Sequence, residues 1–214
     1  MEKIKDLIKR LDRYSPYPLF YKFAMSKKEQ EVFNKYIKNS KYYLEFGSGG
    51  STIRALQISK AKIYSVESSI GWINYLSEYK VLNYAKNKRV FFHAIDIGKT
   101  EGWGYPVSNK SKHLFPNYSN KVFSSLNSVK IDTVLIDGRF RVACALSVIL
   151  NLYKLNSDTI ILIHDFWNRK QYHILLEFLI KQDSVDTLGV FKIKKGLDLS
   201  LIQQKYDTYK FISE

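Results

Sequence analysis

The sequence predicts an α/β fold built on a mostly parallel sheet of seven strands with helices on both faces. Three observations carry that prediction. Short apolar runs alternate along the chain with stretches of helical period. Runs such as Thr133–Ile136 and Thr159–Ile163 are unbroken aliphatic after their opening threonine, as strands covered on both faces are. Glycines, acids and basic residues follow directly after the runs, at the carboxyl ends of strands where such sheets bind ligands.

The elements follow in order. Ile4, Leu7, Ile8 and Leu11 stand at helical spacing within residues 2–13. Ser26 with Glu29 three residues on is a capping-box signal for a helix over 27–38. Tyr42–Phe46 reads as the first strand, with a glycine-rich turn and a helix through Leu56 behind it. Lys62–Glu67 is the second strand, 70–84 a helix, and Val90–Ile95 the third strand. Residues 98–118 form a loop of about twenty residues, a length that inside a compact domain is usually either functional or disordered. Thr133–Ile136 is the fourth strand, Val142–Tyr153 a helix and Thr159–Ile163 the fifth strand. A helix near 169–181 and strands over 186–194 and 198–206 close the chain. The expected division is an N-terminal helical extension, 1–39, packed on a ligand-binding domain, 40–214.

Composition narrows the function. Hydrophobic residues make up 45% of the chain and aromatics 15%, too many for a disordered protein. No apolar stretch is long enough to span a bilayer, and residues 1–24 hold no signal-peptide core. The single cysteine, Cys144, excludes a disulfide framework and a cysteine-based zinc site, so a cytoplasmic setting is expected. The net charge is +14, carried almost wholly by the first 130 residues. Such a surface suits nucleic acid or a phosphorylated substrate. The excess is lysine, however, in a chain also rich in asparagine and isoleucine, and it contains no block of five consecutive basic residues, so composition explains it as well as a polyanion site does.

The strand ends carry the chemistry. Gly47-Ser48-Gly49-Gly50 permits a tight strand-to-helix turn, and the helix start offers free N–H groups to an anion. Glu67 ends the second strand 18 residues after Gly49, near the spacing at which an acid meets a ribose diol. Asp96 ends the third strand, where it either accepts the exocyclic amine of adenine or merely caps a turn. Glu45-x-Gly47-x-Gly49, Glu67 and Asp96 together resemble the class I S-adenosylmethionine-dependent methyltransferases over about residues 40–206. The segments Tyr43–Thr52, Asp137–Leu146 and Ile163-His164-Asp165 resemble more narrowly a group of methyltransferase-like proteins. The resemblance implies a Rossmann-like sheet whose last strand runs antiparallel, and a transferase that uses S-adenosylmethionine. It also implies that Glu45 and the Gly47–Gly50 backbone, with Ser51 and Thr52, hold the methionine part. Glu67 and Ser68 would take the ribose, and Asp96 would lie near the adenine. Thr52, where Gly-x-Gly-x-x-Gly would have its third glycine, disfavours a dehydrogenase.

The fourth and fifth strands end in Asp137-Gly138-Arg139-Phe140-Arg141 and His164-Asp165-Phe166-Trp167-Asn168-Arg169. His164 is the natural general base for a hydroxyl acceptor, with Asp137 or Asp165 to orient it. Arg139, Arg141 and Arg169 suggest an acceptor bearing phosphate or carboxylate. Each arginine has the competing reading of an ion pair with Asp137 or Asp165. Asp137 and Asp165 also match two positions of metal-dependent O-methyltransferases, but Phe166 stands where a third ligand belongs, so no metal is assigned and a divalent cation is disfavoured. Trp103 and Tyr105, on the glycine-flanked 98–118 loop, suit a lid that stacks on a sugar or flat acceptor, and the aromatic loop 15–21 completes the same cleft. The expected function is therefore O-methylation of a small-molecule or glycan acceptor. An RNA or other nucleic-acid methyltransferase is the alternative, and a non-catalytic binding protein of the same fold is a third.

Overall fold

The computed structural model describes residues 2–126, 129–155 and 158–214. Two N-terminal helices, α1 (Glu2–Asp12) and α2 (Lys27–Ile37), precede β1 (Tyr42–Phe46), α3 (Gly50–Ile58), β2 (Lys62–Glu67), α4 (Ile70–Ser77), α5 (Lys80–Ala85) and β3 (Val90–Ala94). A short hairpin, β4 (Thr100–Glu101) and β5 (Tyr105–Pro106), and a short helix α6 (Pro116–Asn120) lead to β6 (Thr133–Ile136), α7 (Arg141–Leu152) and β7 (Ile160–Ile163). The chain ends with β8 (Leu179–Val185), β9 (Leu188–Ile193) and α8 (Leu199–Tyr209).

Seven strands form one sheet in the order β3-β2-β1-β6-β7-β9-β8. Every pairing is parallel except those of β9, which runs antiparallel to β7 and β8. The order reverses between β1 and β6, the position at which sheets of this kind open a crevice. There Phe46 lies level with Val66 on one side and Ile136 on the other, so the residues after all three strands meet.

Side-chain alternation divides the core between the two faces. Leu44, Phe46, Val134, Ile136, Ile161 and Ile163 pack with α7 and with Ile202 and Tyr206 of α8. Tyr43, Leu135 and Leu162 point the other way, onto Phe33 and Ile37 of α2 and Ile53 and Leu56 of α3. The second N-terminal helix is therefore part of the core. The apolar stripe predicted on α1 is present, but Ile4, Leu7, Ile8 and Leu11 are exposed. No helix among the described residues is long and apolar enough to cross a membrane.

Three element predictions need correction. The helix over 70–84 breaks between Ser77 and Lys80, where the Ser69 cap of α4 and a fresh start at Tyr79 make two short helices. The helix near 169–181 is a 3-10 turn, Lys170–Glu177, followed at once by β8. β8 is an edge strand whose Ile180, Lys181 and Gln182 are all exposed, so its sequence shows no alternation to read. The strand over 198–206 is α8. Leu197, Leu199 and Leu201 imitate a strand's period of two. Asp198 nevertheless caps the helix at the Ser200 N–H (2.8 Å), and Ile202 and Tyr206 take the buried face.

Candidate functional site

A cavity of about 560 Å³ lies at the carboxyl ends of β1, β2 and β6, within the size range of small-molecule sites. Its floor is the turn after β1. Gly47 has φ +98°, and a Cβ there would stand 2.8 Å from the Gly138 nitrogen, so the β1 and β6 turns touch through two glycines. Gly47, Ser48, Gly49, Gly50 and Ser51 line the cavity, with the N-terminus of α3 facing into it. Glu67 and Ser68 line the adjacent wall. The Glu67 carboxylate accepts the backbone N–H groups of Ser48 (3.2 Å), Ser68 (2.7 Å) and Ser69 (2.9 Å). Burial raises its pKa, and those bonds oppose the rise.

Two predicted cofactor residues act from behind the wall. Glu45 is fully buried and accepts bonds from the hydroxyls of Tyr43 (2.9 Å), Ser51 (2.8 Å), Ser65 (2.6 Å) and Thr52. Thr52 in turn accepts from the Gly49 N–H (3.0 Å). Neither lines the cavity, so both hold the turn rather than a ligand. Gly50 has a second duty: a Cβ there would collide with the Lys22 carbonyl and Phe23, because an N-terminal strap crosses the turn. Asp96 is exposed and accepts the Gly98 N–H (2.8 Å), the turn-capping alternative.

On the opposite wall Asp137 and Arg139 line the cavity, whereas Arg141, His164, Asp165 and Arg169 lie behind them. Arg141 is 3% exposed and fully engaged. It donates to the carbonyls of Gly138 (3.0 Å) and His164, and it bridges Asp137 Oδ1 (3.2 Å) and Asp165 Oδ2 (3.2 Å). It thus staples β6 to β7 and does not reach an acceptor. Its guanidinium also fills the space between the two carboxylates expected of a metal site. Among the described residues no three His, Cys, Asp or Glu side chains are arranged to hold a metal ion. Arg169 pairs with Asp165 Oδ2 (3.3 Å). Asp165, two residues after β7, at φ +57°, and Phe140, at the start of α7, at φ +56°, both hold left-handed backbone, a conformation that concentrates at functional sites.

His164 does not stand as a free base. Its Nδ1 lies 2.8 Å from Asp137 Oδ1, and its Nε2 lies 3.5 Å from Glu29 Oε2 on α2. Burial disfavours its charged form, but the bond to Asp137 and the surrounding carboxylates outweigh that and raise its pKa. With Nδ1 engaged by Asp137 and Nε2 turned toward Glu29, the ring does not line the cavity in which an acceptor would sit. The prediction of His164 as base therefore gives way to a positioning role. Asp137 moves the other way. Burial would raise its pKa, but His164 and the Arg141 charge hold it below the ordinary carboxylate value.

Trp103 lines the cavity mouth from the β4–β5 hairpin, 72% exposed, with Lys22 Nζ 4.2 Å above its ring. Tyr105 lies outside the cavity and stacks under the Arg139 guanidinium at 4.1 Å. Sequence reasoning missed the Lys22–Ala24 strap, whose place is set by contacts distant in the chain, and Trp72 in the lining. The Trp72 indole donates to the Ser48 carbonyl (2.8 Å). Its position three residues after the Ser69 cap was the available signal.

No protein-family model matches the chain, and no curated protein does. Solved structures do. A methyltransferase-like protein from Silicibacter pomeroyi aligns over 91% of this chain and 98% of its own, with 28% identity and a TM-score of 0.75. The O-methyltransferase from Bacillus cereus, solved with S-adenosylhomocysteine, aligns over 90% of both chains at 13% identity and a TM-score of 0.51, a likeness of fold. With the 3-2-1-4-5-7-6 order of the sheet strands counted along the chain, the glycine turn and the acid that ends the second strand, these likenesses give the chain the Rossmann-like fold of the class I S-adenosylmethionine-dependent methyltransferases and support a methyltransferase.

Proposed function

We propose that the protein transfers a methyl group from S-adenosylmethionine to a hydroxyl of a small-molecule or glycan acceptor, with residues 40–214 carrying the strand-end chemistry and the N-terminal extension, 1–39, closing the cavity through the Lys22–Ala24 strap. The cofactor half of the cavity fits the donor on its own terms. The open space beside Gly49 and the N–H groups at the start of α3 suit a carboxylate. Glu67 lies on the wall where a carboxylate can accept ribose hydroxyls. When bound, the donor supplies an electrophilic methyl group, and the protein has to position the acceptor in line with it.

The observation that carries the reading is Asp137. It is a carboxylate on the cavity wall whose partners among the described residues, His164 and Arg141, both fall on Oδ1. Oδ2 is left to accept the acceptor's O–H and to align its oxygen lone pair with the methyl group. A carboxylate held at low pKa is a weak base toward a free alcohol. It is sufficient once the oxygen gains positive character during bond formation, because the O–H proton is then strongly acidic. Arg141 and His164 keep Asp137 ionised and fixed, and Arg141 stands where a cation would otherwise bridge Asp137 and Asp165.

The test is release of S-adenosylhomocysteine from S-adenosylmethionine with a panel of sugars, uronates and sugar phosphates. Turnover with a hydroxyl acceptor supports the reading. The +14 charge favours one rival, an RNA acceptor. Transfer to RNA in preference to every hydroxyl compound in the panel would establish that rival instead.

A further inference from the structure

One buried cation on the cavity wall keeps two of its donors unfilled. Arg139 is 6% exposed and lines the cavity, and its Nε and Nη1 have no hydrogen-bond partner among the described residues. The neighbouring charges are in the opposite condition. Glu67 is capped by three backbone N–H groups, and Asp137 is held by His164 and Arg141. A buried guanidinium with unfilled donors is a group whose hydrogen-bonding capacity awaits a ligand. Its planar fork matches an oxyanion.

The surroundings keep it in place. The Tyr105 ring lies beneath the guanidinium at 4.1 Å. A Cβ on Gly104 would come within 3.7 Å of the Arg139 stem, so the hairpin packs closely against it. A second cation, Lys22, stands at the mouth over Trp103. The carboxylate of the cofactor already has a place at the other wall, at the turn after β1 and the start of α3. Arg139 follows β6, two residues beyond Asp137, on the wall assigned to the acceptor.

We infer that Arg139 is the receptor for an oxyanion of the acceptor, a carboxylate or a phosphate ester, with Lys22 as the outer cation and Trp103 as the apolar wall between them. This rests on the methyltransferase reading above and narrows its acceptor class from any hydroxyl compound to an anionic one.

The experiment is calorimetry on protein saturated with S-adenosylhomocysteine, titrated with glucose, D-glucuronate and glucose 6-phosphate. At least one charged sugar is expected to bind tenfold or more tightly than glucose. Preference for glucuronate assigns a carboxylate, and preference for glucose 6-phosphate assigns a phosphate. Arg139→Gln should erase the preference while S-adenosylhomocysteine affinity stays within threefold, and Arg139→Lys should restore part of it. Equal binding of charged and neutral sugars by the wild type would overturn the inference and leave the methyltransferase reading standing. So would a tenfold loss of S-adenosylhomocysteine affinity in Arg139→Gln with 5′-methylthioadenosine binding unchanged, because Arg139 would then hold the cofactor's carboxylate. Absence of S-adenosylhomocysteine binding in the wild type would overturn both readings.

Discussion

The two walls of the cavity handle polarity in opposite ways. At the ends of β1 and β2 the ligand-facing groups are backbone, opened by glycine, with the Glu67 carboxylate beside them, and Glu45 behind them is occupied by hydroxyls. At the ends of β6 and β7 the charges neutralise one another, in a chain from Arg169 through Asp165, Arg141 and Asp137 to His164 and Glu29. Of that chain only Asp137 reaches the cavity, and Arg139, which is outside the chain, lines it beside Asp137. Density of charged residues in a sequence therefore marks where charges pair. The reactive surface is the remainder.

The sharpest way to break this comparison is to remove the staple. Arg141→Met removes the cation shared by Asp137 and Asp165 and the donor to two carbonyls, leaving Asp137 only His164 and Asp165 only Arg169, and breaking a buried pair from one side costs about 3–5 kcal/mol. Urea unfolding should show a loss of that size. A loss below about 1 kcal/mol would mean that the cluster is not a unit. Next in size is Asp137→Asn, which keeps the shape and removes the charge. It should lower turnover roughly 10²–10³-fold, within the range for a positioned proton acceptor. The KM for S-adenosylmethionine should stay within threefold, since Asp137 is placed away from the ribose wall. Gly47→Ala tests the other wall. Positive φ and a Cβ meeting Gly138 should weaken S-adenosylhomocysteine binding at least tenfold, a change of about 1.4 kcal/mol.

The uneven legibility of the sequence has the same cause. The parallel strands, the glycine turn and Glu67 were readable because their patterns are local: apolar runs, a turn needing positive φ, an acid at a fixed spacing. Asp137 and Arg139 were visible as candidates. Nothing local distinguished Arg139 from Arg141, two residues on, and only the fold shows that one is spent on Asp137 and Asp165 and the other is not. His164 was misread for the same reason, because the carboxylate facing its Nε2 comes from Glu29, which the sequence presents as a helix-capping residue. β8 was hidden by its edge position, and α8 by leucines spaced like those of a strand.

The smallest effect concerns that histidine. Its folded pKa is raised, so its contribution to stability is complete below the unfolded value near 6.5 and is lost as pH rises through the folded value. The melting temperature should therefore fall slightly above pH 6.5, and this slope should disappear in His164→Gln. Imidazole NMR showing His164 titrating at or below 6.5 would restore it as a candidate base.

The comparison comes down to whether cofactor binding belongs to the β1–β2 wall alone. Calorimetry with S-adenosylhomocysteine on the wild type, Glu67→Ala and His164→Gln tests this directly. Micromolar binding is expected in the wild type. Glu67→Ala should weaken it by about 1–3 kcal/mol, the cost of leaving buried hydroxyls unpaired, and His164→Gln should leave it unchanged. No binding by the folded wild type, or an equal loss in His164→Gln, would contradict the account.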